Sequence, residues 1–294
     1  MSKSIVFLFS HGEAELIYRD SYLAFAEFAA KQGVVINFVF GLEYLHGDTF
    51  STYWTGERDV FIKHTQSITP GIIYLRDRMY LPNRLRRVNN SVIEEACRDK
   101  LLTYNTFSEF IKFTTVLTPD TLDHITTEKV VIKPRFGANG SDVAVIDKNN
   151  IVTHDVSKKE YIIQEFIDSS DGIEGLVGTR HELRIFVFNG IVSAAYIRIP
   201  AKDSYLSNIS QGATEMQFPL DKLPNSAHEV VREVDMKFSM VSPRIYTIDL
   251  MYENNRPWIV ELNDNPGMPD TAVQPFTQDY FSALLKFLSS QIKN

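Results

Sequence analysis

Residues 5–9 read Ile-Val-Phe-Leu-Phe, an unbroken apolar run that suits a strand buried on both faces. Asp20 stands where it can cap a helix with apolar residues Tyr22, Leu23, Phe25, Ala26 and Phe28, and Gly33 is positioned to end it. Residues 34–40 read as a second, largely apolar strand, which completes a strand–helix–strand unit within about 40 residues. Such a unit commits the chain to a parallel sheet covered on both faces, so the fold class is α/β. Residues 72–74 predict a further strand of this lobe, whereas 41–70 are hard to read.

The chain has 294 residues, more than one small core organises, and points to two or three packed lobes. A second lobe begins near Asp99. Thr106-Phe-Ser-Glu109 has the pattern of a capping box before an apolar helix. Residues 130–133 and 143–146 predict two strands around a glycine-bearing loop, and 161–166 a third. A third lobe comes next. There Asn189-Gly190 separates apolar runs at 185–188 and 191–197, a strong hairpin signal, and residues 253–256 separate 245–250 from 258–262. Residues 280–292 form an amphipathic helix. The expected division is 1–98 as an N-terminal α/β domain, 99–167 as a lid subdomain and 168–294 as a C-terminal subdomain.

A 44% hydrophobic composition is that of a globular chain, and a net charge of -7 argues against a nucleic-acid surface. The densest basic stretch, Arg84-Leu-Arg86-Arg87, reads as a solvated helix face or a local anion site. The single cysteine, Cys97, excludes an internal disulfide framework and fits a reducing compartment; its surroundings, Val92 to Ala96, read as a half-buried helix with a packed thiol. The apolar start is cut short at His11-Gly-Glu13, too early for a signal peptide, and no other run nears the roughly 18 residues a membrane span needs. The expectation is a cytoplasmic protein.

Three features carry chemistry. Asp249 follows an apolar strand, Glu261 follows its hairpin partner, and Asn263 shares a face with Glu261 if the strand continues. Three oxygen donors on one sheet face can hold magnesium, since paired buried carboxylates are costly without a cation. The polar end of a hairpin with solvated acids fits the same residues equally well. Lys133 at a strand end, followed by Gly137 and Gly140, can put a point charge and free N–H groups on phosphates, although an ordinary glycine turn has the same look. This is not a Walker loop, because no Gly-Lys-Ser/Thr comes after it. The strand ending in Gln164-Glu-Phe-Ile167 leads from the second lobe to the third, where backbone groups could meet an adenine edge.

Taken in order over about 170 residues, these pieces resemble the ATP-grasp superfamily, in its glutathione synthetase and ribosomal-protein S6 glutamate ligase branch. The resemblance rests on Asp99-Lys100, Val131-Ile-Lys-Pro134 with its glycine loop, Gln164-Glu-Phe-Ile167, Glu182-Leu-Arg184 and Arg198-Ile-Pro200. It continues through Asn208-Ile-Ser-Gln-Gly212, Asp249 and Glu261-Leu-Asn263-Asp-Asn-Pro266-Gly267. It implies an ATP-grasp fold, an N-terminal α/β lobe followed by two α+β lobes enclosing ATP.

The resemblance also implies roles. Lys100 and Lys133 contact ATP phosphates, and the loop of Gly137, Asn139, Gly140 and Ser141 closes over them. Gln164, Glu165, Phe166 and Ile167 hold adenine, and Glu182 takes the ribose hydroxyls, with Asp168 as the competing choice. Asp249, Glu261 and Asn263 carry two magnesium ions, with manganese as an alternative. Arg184, Arg198 and Asn208 stabilise the transferred phosphoryl group and an acyl phosphate. The implied activity is an ADP-forming ligation of a small carboxylate to an amine, with amino-acid or peptide substrates. No nucleic-acid or membrane partner is implied, and a homodimer is the branch's usual arrangement. A kinase on the same fold, or a nucleotide-binding regulator without turnover, is the alternative. Asn265, Ala213 and Thr247 depart from the branch's usual residues and put the substrate in question. His11 and Arg76 follow strands and are candidates for substrate contact; for Arg76 a surface ion pair with Asp77 is the competing reading.

Overall fold

The computed structural model describes residues 4–137, 142–151, 160–207, 212–269 and 276–292. They form two compact units. The first comprises the described parts of 1–90, 241–245 and 265–294, the second those of 91–240 and 246–264.

The first unit is built on the strands β1 (Ser4–Phe9), β2 (Ile36–Phe40), β3 (Leu45–His46), β4 (Thr49–Phe50), β5 (Tyr53–Glu57), β6 (Val60–His64) and β7 (Pro70–Leu75). Its main sheet has the order β6-β5-β2-β1-β7. The pairs β1–β2 and β1–β7 are parallel, while β5 and β6 join antiparallel. The unreadable stretch 41–70 therefore supplies β5 and β6, which extend the parallel core on one side and end it at β6. The β1 run is buried on both faces, as its composition requires. Val6 and Leu8 pack with Phe50, Leu81 and Leu85. Phe7 points the other way, against Tyr22 and Phe25 of helix α1 (Arg19–Ala30). Helix α5 (Thr277–Ser290) covers the same side, with Phe281 5.1 Å from Phe25 between ring centroids.

Three expectations in this unit are corrected. Asp20 does not cap α1; the cap position is Tyr18, in left-handed backbone at φ 62°, and Asp20 lies in the first turn. The 84–87 arginines lie in a loop, not on a helix: Arg84 pairs with Asp48, and Arg86 donates to the Gln291 side chain at 2.9 Å. Arg76 makes no surface ion pair with Asp77. Only 6% exposed, it donates to the Tyr22 hydroxyl at 2.8 Å and to the Pro266 carbonyl at 2.6 Å. Asp77 instead accepts from the Ser10 N–H at 2.7 Å and lies 3.4 Å from His11 Nε2.

The second unit opens with α2 (Ser91–Arg98) and α3 (Lys100–Phe107). The expected capping box at 106–109 starts no helix. Thr106 lies in the last turn of α3 and its hydroxyl donates to the Leu102 carbonyl at 2.7 Å, an i−4 back-bond that satisfies it inside the helix. Cys97 is buried on α2, as expected. Beyond the helices lies a four-stranded antiparallel sheet in the order β10-β9-β11-β8, from β8 (Thr114–Val116), β9 (Lys129–Pro134), β10 (Ala144–Asp147) and β11 (Tyr161–Glu165).

A five-stranded sheet then runs in the order β14-β13-β12-β15-β16. Its strands are β12 (Glu182–Phe188), β13 (Ile191–Ile199), β14 (Thr214–Gln217), β15 (Ile245–Glu253) and β16 (Arg256–Asn263). The β12–β13 turn uses Asn189 and Gly190 at φ 48° and 82°, the left-handed pair its sequence requires. Helix α4 (Asn225–Phe238) buries Val230, Val231, Val234 and Phe238. Among the described residues, no helix is long and apolar enough to cross a membrane.

Candidate functional site

Strand alternation gives the five-stranded sheet one apolar and one charged face. Leu183, Ile185, Ile197, Ile248, Leu250 and Leu262 are buried on the first. On the second, register sets Glu182 opposite Arg198, Arg184 opposite Tyr196, Asp249 opposite Glu261, and Thr247 opposite Asn263. The period-2 pleat thus gathers onto one surface residues drawn from positions 182 to 263.

Asp249 is 2% exposed and takes both oxygens to Arg184, with Nε at 2.6 Å. Arg198 lies between two acids, 3.1 Å from Glu182 and 3.1 Å from Glu215, and also donates to the Tyr196 hydroxyl at 2.7 Å. Burial, and then the neighbouring Asp249 carboxylate, pushes Glu182 up to about 7. Burial pushes the Tyr196 phenol up to about 12. Tyr196 and Glu215 escape a motif-based reading. Strand alternation back from Arg198 could have found Tyr196; Glu215 carries no local signal, because its strand is short and mostly polar.

The lysines approach from the other sheet and from α3. Asp99 caps α3, accepting from the Leu101 and Leu102 N–H groups at 3.0 and 3.2 Å. Arg135 grips the same carboxylate at 2.7 and 2.6 Å, and holds it below the usual carboxylate range. Lys100, the next residue, donates to the Gly137 carbonyl at 2.7 Å and lies 3.5 Å from Glu261. Lys133 is 6% exposed at its place on β9 and donates to the Gln164 side chain at 2.9 Å and the Val260 carbonyl at 3.3 Å. Burial pulls its ammonium down to about 8, and Lys100 pushes the same way. A small cavity bounded by Cys97, Lys100, Thr103, Lys133, Gln164 and Glu261 lies between these groups.

Gln164 turns its side chain inward, to Lys133 and to the Thr114 hydroxyl at 2.9 Å. The Glu165 carboxylate accepts from the Thr126 N–H at 2.8 Å. Phe166 is half-buried and Ile167 is buried at the end of this segment. Among the described residues, no hydrogen bond engages the Ile167 N–H. Lys100, Lys133, Gly137, Gln164, Glu165, Phe166, Ile167, Glu182, Arg184, Arg198, Asp249, Glu261 and Asn263 all belong to the second unit. Asn139, Gly140, Ser141 and Asn208 lie outside the described residues.

No group of three or more His, Cys, Asp or Glu side chains suited to a metal occurs among the described residues. The donor set is therefore two carboxylates, Asp249 and Glu261, with the Asn263 amide on the same face. All are hard oxygen donors, and each carboxylate has lone pairs beyond those its Arg184 or Lys100 partner takes. The set fits magnesium with most of its shell left to water and phosphate.

Two lysines, one of them on the four-stranded antiparallel sheet, thus confront a charged sheet face. The RimK-like ATP-grasp domain matches residues 107–274, more than half of the chain, and the chain belongs to that family. It is 25% identical over 154 residues to a probable alpha-L-glutamate ligase of Marinomonas sp. (strain MWYL1), covering 51% of this chain and 46% of that protein. A probable alpha-L-glutamate ligase 2 of Shewanella sp. (strain W3-18-1) is 23% identical over 179 residues, covering 59% and 54%. The chain thus spans about half the length of the curated relatives it matches. The fold is shared with the ATP-grasp ligase PsnB complexed with its minimal precursor, at a TM-score of 0.65 and 12% identity over 100% of both chains. It is shared too with a Bacillus anthracis D-alanine–D-alanine ligase complexed with ATP, at 0.60 and 13% identity over 98% and 97%. The α/β ATP-grasp fold expected from the motifs is the fold the chain adopts.

Proposed function

We propose that this chain is an ATP-dependent, ADP-forming ligase joining a small carboxylate to an amine, with amino-acid or peptide substrates. The observation that carries this is Lys100 beside Glu261 and the buried Lys133 on the Gln164 side chain and the Val260 carbonyl, with Arg184 holding the buried Asp249 on the charged sheet face. A carboxylate oxygen attacking the γ-phosphorus, with the bond to the ADP oxygen breaking, needs charge neutralisation more than it needs a base. Lys100, Lys133, Arg184 and Arg198 supply that positive charge without a histidine or cysteine. The amine nitrogen then attacks the acyl carbon, its C–O bond to phosphate breaks, and the nitrogen loses a proton. Asp249, Glu261 and Asn263 would hold two magnesium ions, which neutralise phosphate charge when bound.

Gln164 to Ile167 are assigned to adenine, where the Ile167 N–H has no hydrogen-bond partner among the described residues. Glu182 is assigned to the ribose in competition with Asp168; Arg198 takes one of its carboxylate oxygens, and the carboxylate has further lone pairs for a hydroxyl. Asn208 and the loop of Asn139, Gly140 and Ser141 keep their assigned roles toward the phosphates. The three-part division at 98/99 and 167/168 is likewise our proposal, as are a cytoplasmic location and a homodimer. The relatives named as glutamate ligases support an amino acid as one of the substrates.

The test is ADP release across a panel of carboxylates, with and without amines. Release that requires both, with an amide product, is expected. Release needing no amine, with a stable phosphorylated product, would instead identify a kinase, and ATP binding without any release would leave the regulator reading open without proving it.

A further inference from the structure

Thr247 departs from the branch's usual residue, and the ligase reading gives it no role. It stands on β15 two residues before Asp249, and its register partner on β16 is Asn263. Alternation therefore puts the Thr247 side chain on the charged face with Asp249, Glu261 and Asn263, while Ile248 and Leu262 are buried on the apolar one. Directly opposed residues on one face of an antiparallel pair have Cβ atoms about 4.5–5.5 Å apart, so the hydroxyl is within reach of the Asn263 amide. Thr247 is 0% exposed, and its hydroxyl has no hydrogen-bond partner among the described residues. A buried hydroxyl left unpaired is costly, so this one calls for a partner. Asp249, its neighbour on the same face, already has Arg184 on both carboxylate oxygens. The group directly across from it is the Asn263 amide.

We propose that Thr247 is a positioning residue for the magnesium ligand Asn263: its hydroxyl oxygen accepts from the Asn263 Nδ2–H when the amide oxygen faces the ion. The inference rests on the magnesium reading above and deepens it. A side-chain amide carries one acceptor and two donor hydrogens, and magnesium takes only the oxygen. With that oxygen on the ion, the N–H groups need an acceptor on the protein side. The Thr247 hydroxyl supplies one from a strand whose neighbour, Asp249, serves the same site. Hydrogen bonds of this outer kind orient a metal ligand and strengthen it. Valine at 247 would set a methyl group against the amide nitrogen instead.

Calorimetric titration of the full chain with the β,γ-imido analogue of ATP, over a series of magnesium concentrations, tests this. The quantity read is the magnesium concentration that gives half of the enhancement in nucleotide affinity. Thr247→Val keeps the shape and removes the hydroxyl. It should raise that concentration by about ten-fold or more, while nucleotide affinity in EDTA stays within about two-fold of the parent. Its melting midpoint without ligand should equal or exceed the parent's, because an unpaired buried hydroxyl is gone. Thr247→Ser, which keeps the hydroxyl, should stay within about three-fold of the parent. Asn263→Asp has no amide N–H to hold, so adding Thr247→Val to it should change the magnesium requirement by less than about two-fold. Thr247→Ala takes the place of Thr247→Val if the latter does not fold. An unchanged magnesium requirement on loss of the hydroxyl, or an equal rise in the Asn263→Asp background, overturns the proposal. A parent chain whose nucleotide affinity does not depend on magnesium overturns the magnesium reading itself, and the role of Thr247 with it.

Discussion

Lys133 and His181 show how single buried groups set the chemistry and the pH response of the second unit. Lys133 keeps two acceptors, Gln164 and Val260, which offset part of the cost of its burial. His181 is 0% exposed, with Nδ1 3.1 Å from the Thr179 carbonyl and Nε2 accepting the Tyr252 N–H at 3.2 Å. That pattern requires the neutral tautomer with its proton on Nδ1, and protonation would set two donors face to face. Burial accordingly holds its pKa below the ordinary value of 6.5, although the Thr179 carbonyl pulls the other way. The unfolded chain then binds the proton first. The stabilisation is present above about pH 6.5 and is lost as the pH falls through the lower folded value. His181→Gln should flatten the fall in melting temperature between about pH 7 and 5; an unchanged slope would show that other groups carry the acid sensitivity. Lys133 and Glu261 were legible because their setting is local: an apolar strand and its neighbours in sequence. Arg76 was not, since its partners Tyr22 and Pro266 lie 54 and 190 residues away.

Elements translate such residues into positions. Helix α3 starts where Asp99 caps it, and the Arg135 grip on the same carboxylate ties that start to the end of β9. The Lys100 N–H also donates to the Arg135 carbonyl at 3.2 Å, so the helix start and the lysine are set by one arrangement. Asp99→Ala should therefore cost about 1 kcal/mol in urea unfolding, mostly from the cap, since the Arg135 pair is partly solvated. It should also weaken tripolyphosphate binding through Lys100; full retention of both would mean that the Arg135 backbone alone positions the helix. The motif at 106–109 misled because a Thr-x-x-Glu spacing looks the same at the end of a helix as at its start, and the fold around it decides between them. The region 41–70 was illegible for another reason. Its strands are short or half-exposed, so burial does not impress a periodic pattern on them.

At the scale of the molecule, chain order and spatial order part company. Helix α5, near the end of the chain, packs in the first unit with the first helix, while the strands just before it belong to the second. Phe281 is 1% exposed, in contact with Phe25 and 5.7 Å from Phe28 between centroids. Phe281→Ala should destabilise the first unit by about 3–5 kcal/mol, read as a lower unfolding midpoint for a probe in that unit. A loss below about 1 kcal/mol would mean that α5 contributes little to that core. The sequence by itself determined the α/β class, the sheet pairings at its two strong turns, and which residues carry charge on the final hairpin. These are consequences of apolar periodicity and turn chemistry, which act over a few residues. Only the tertiary structure decided that Arg184 holds Asp249 and that Arg198 lies between Glu182 and Glu215. A buried charge or ring takes whatever partner the fold brings within reach, and that choice depends on contacts between segments far apart in the chain.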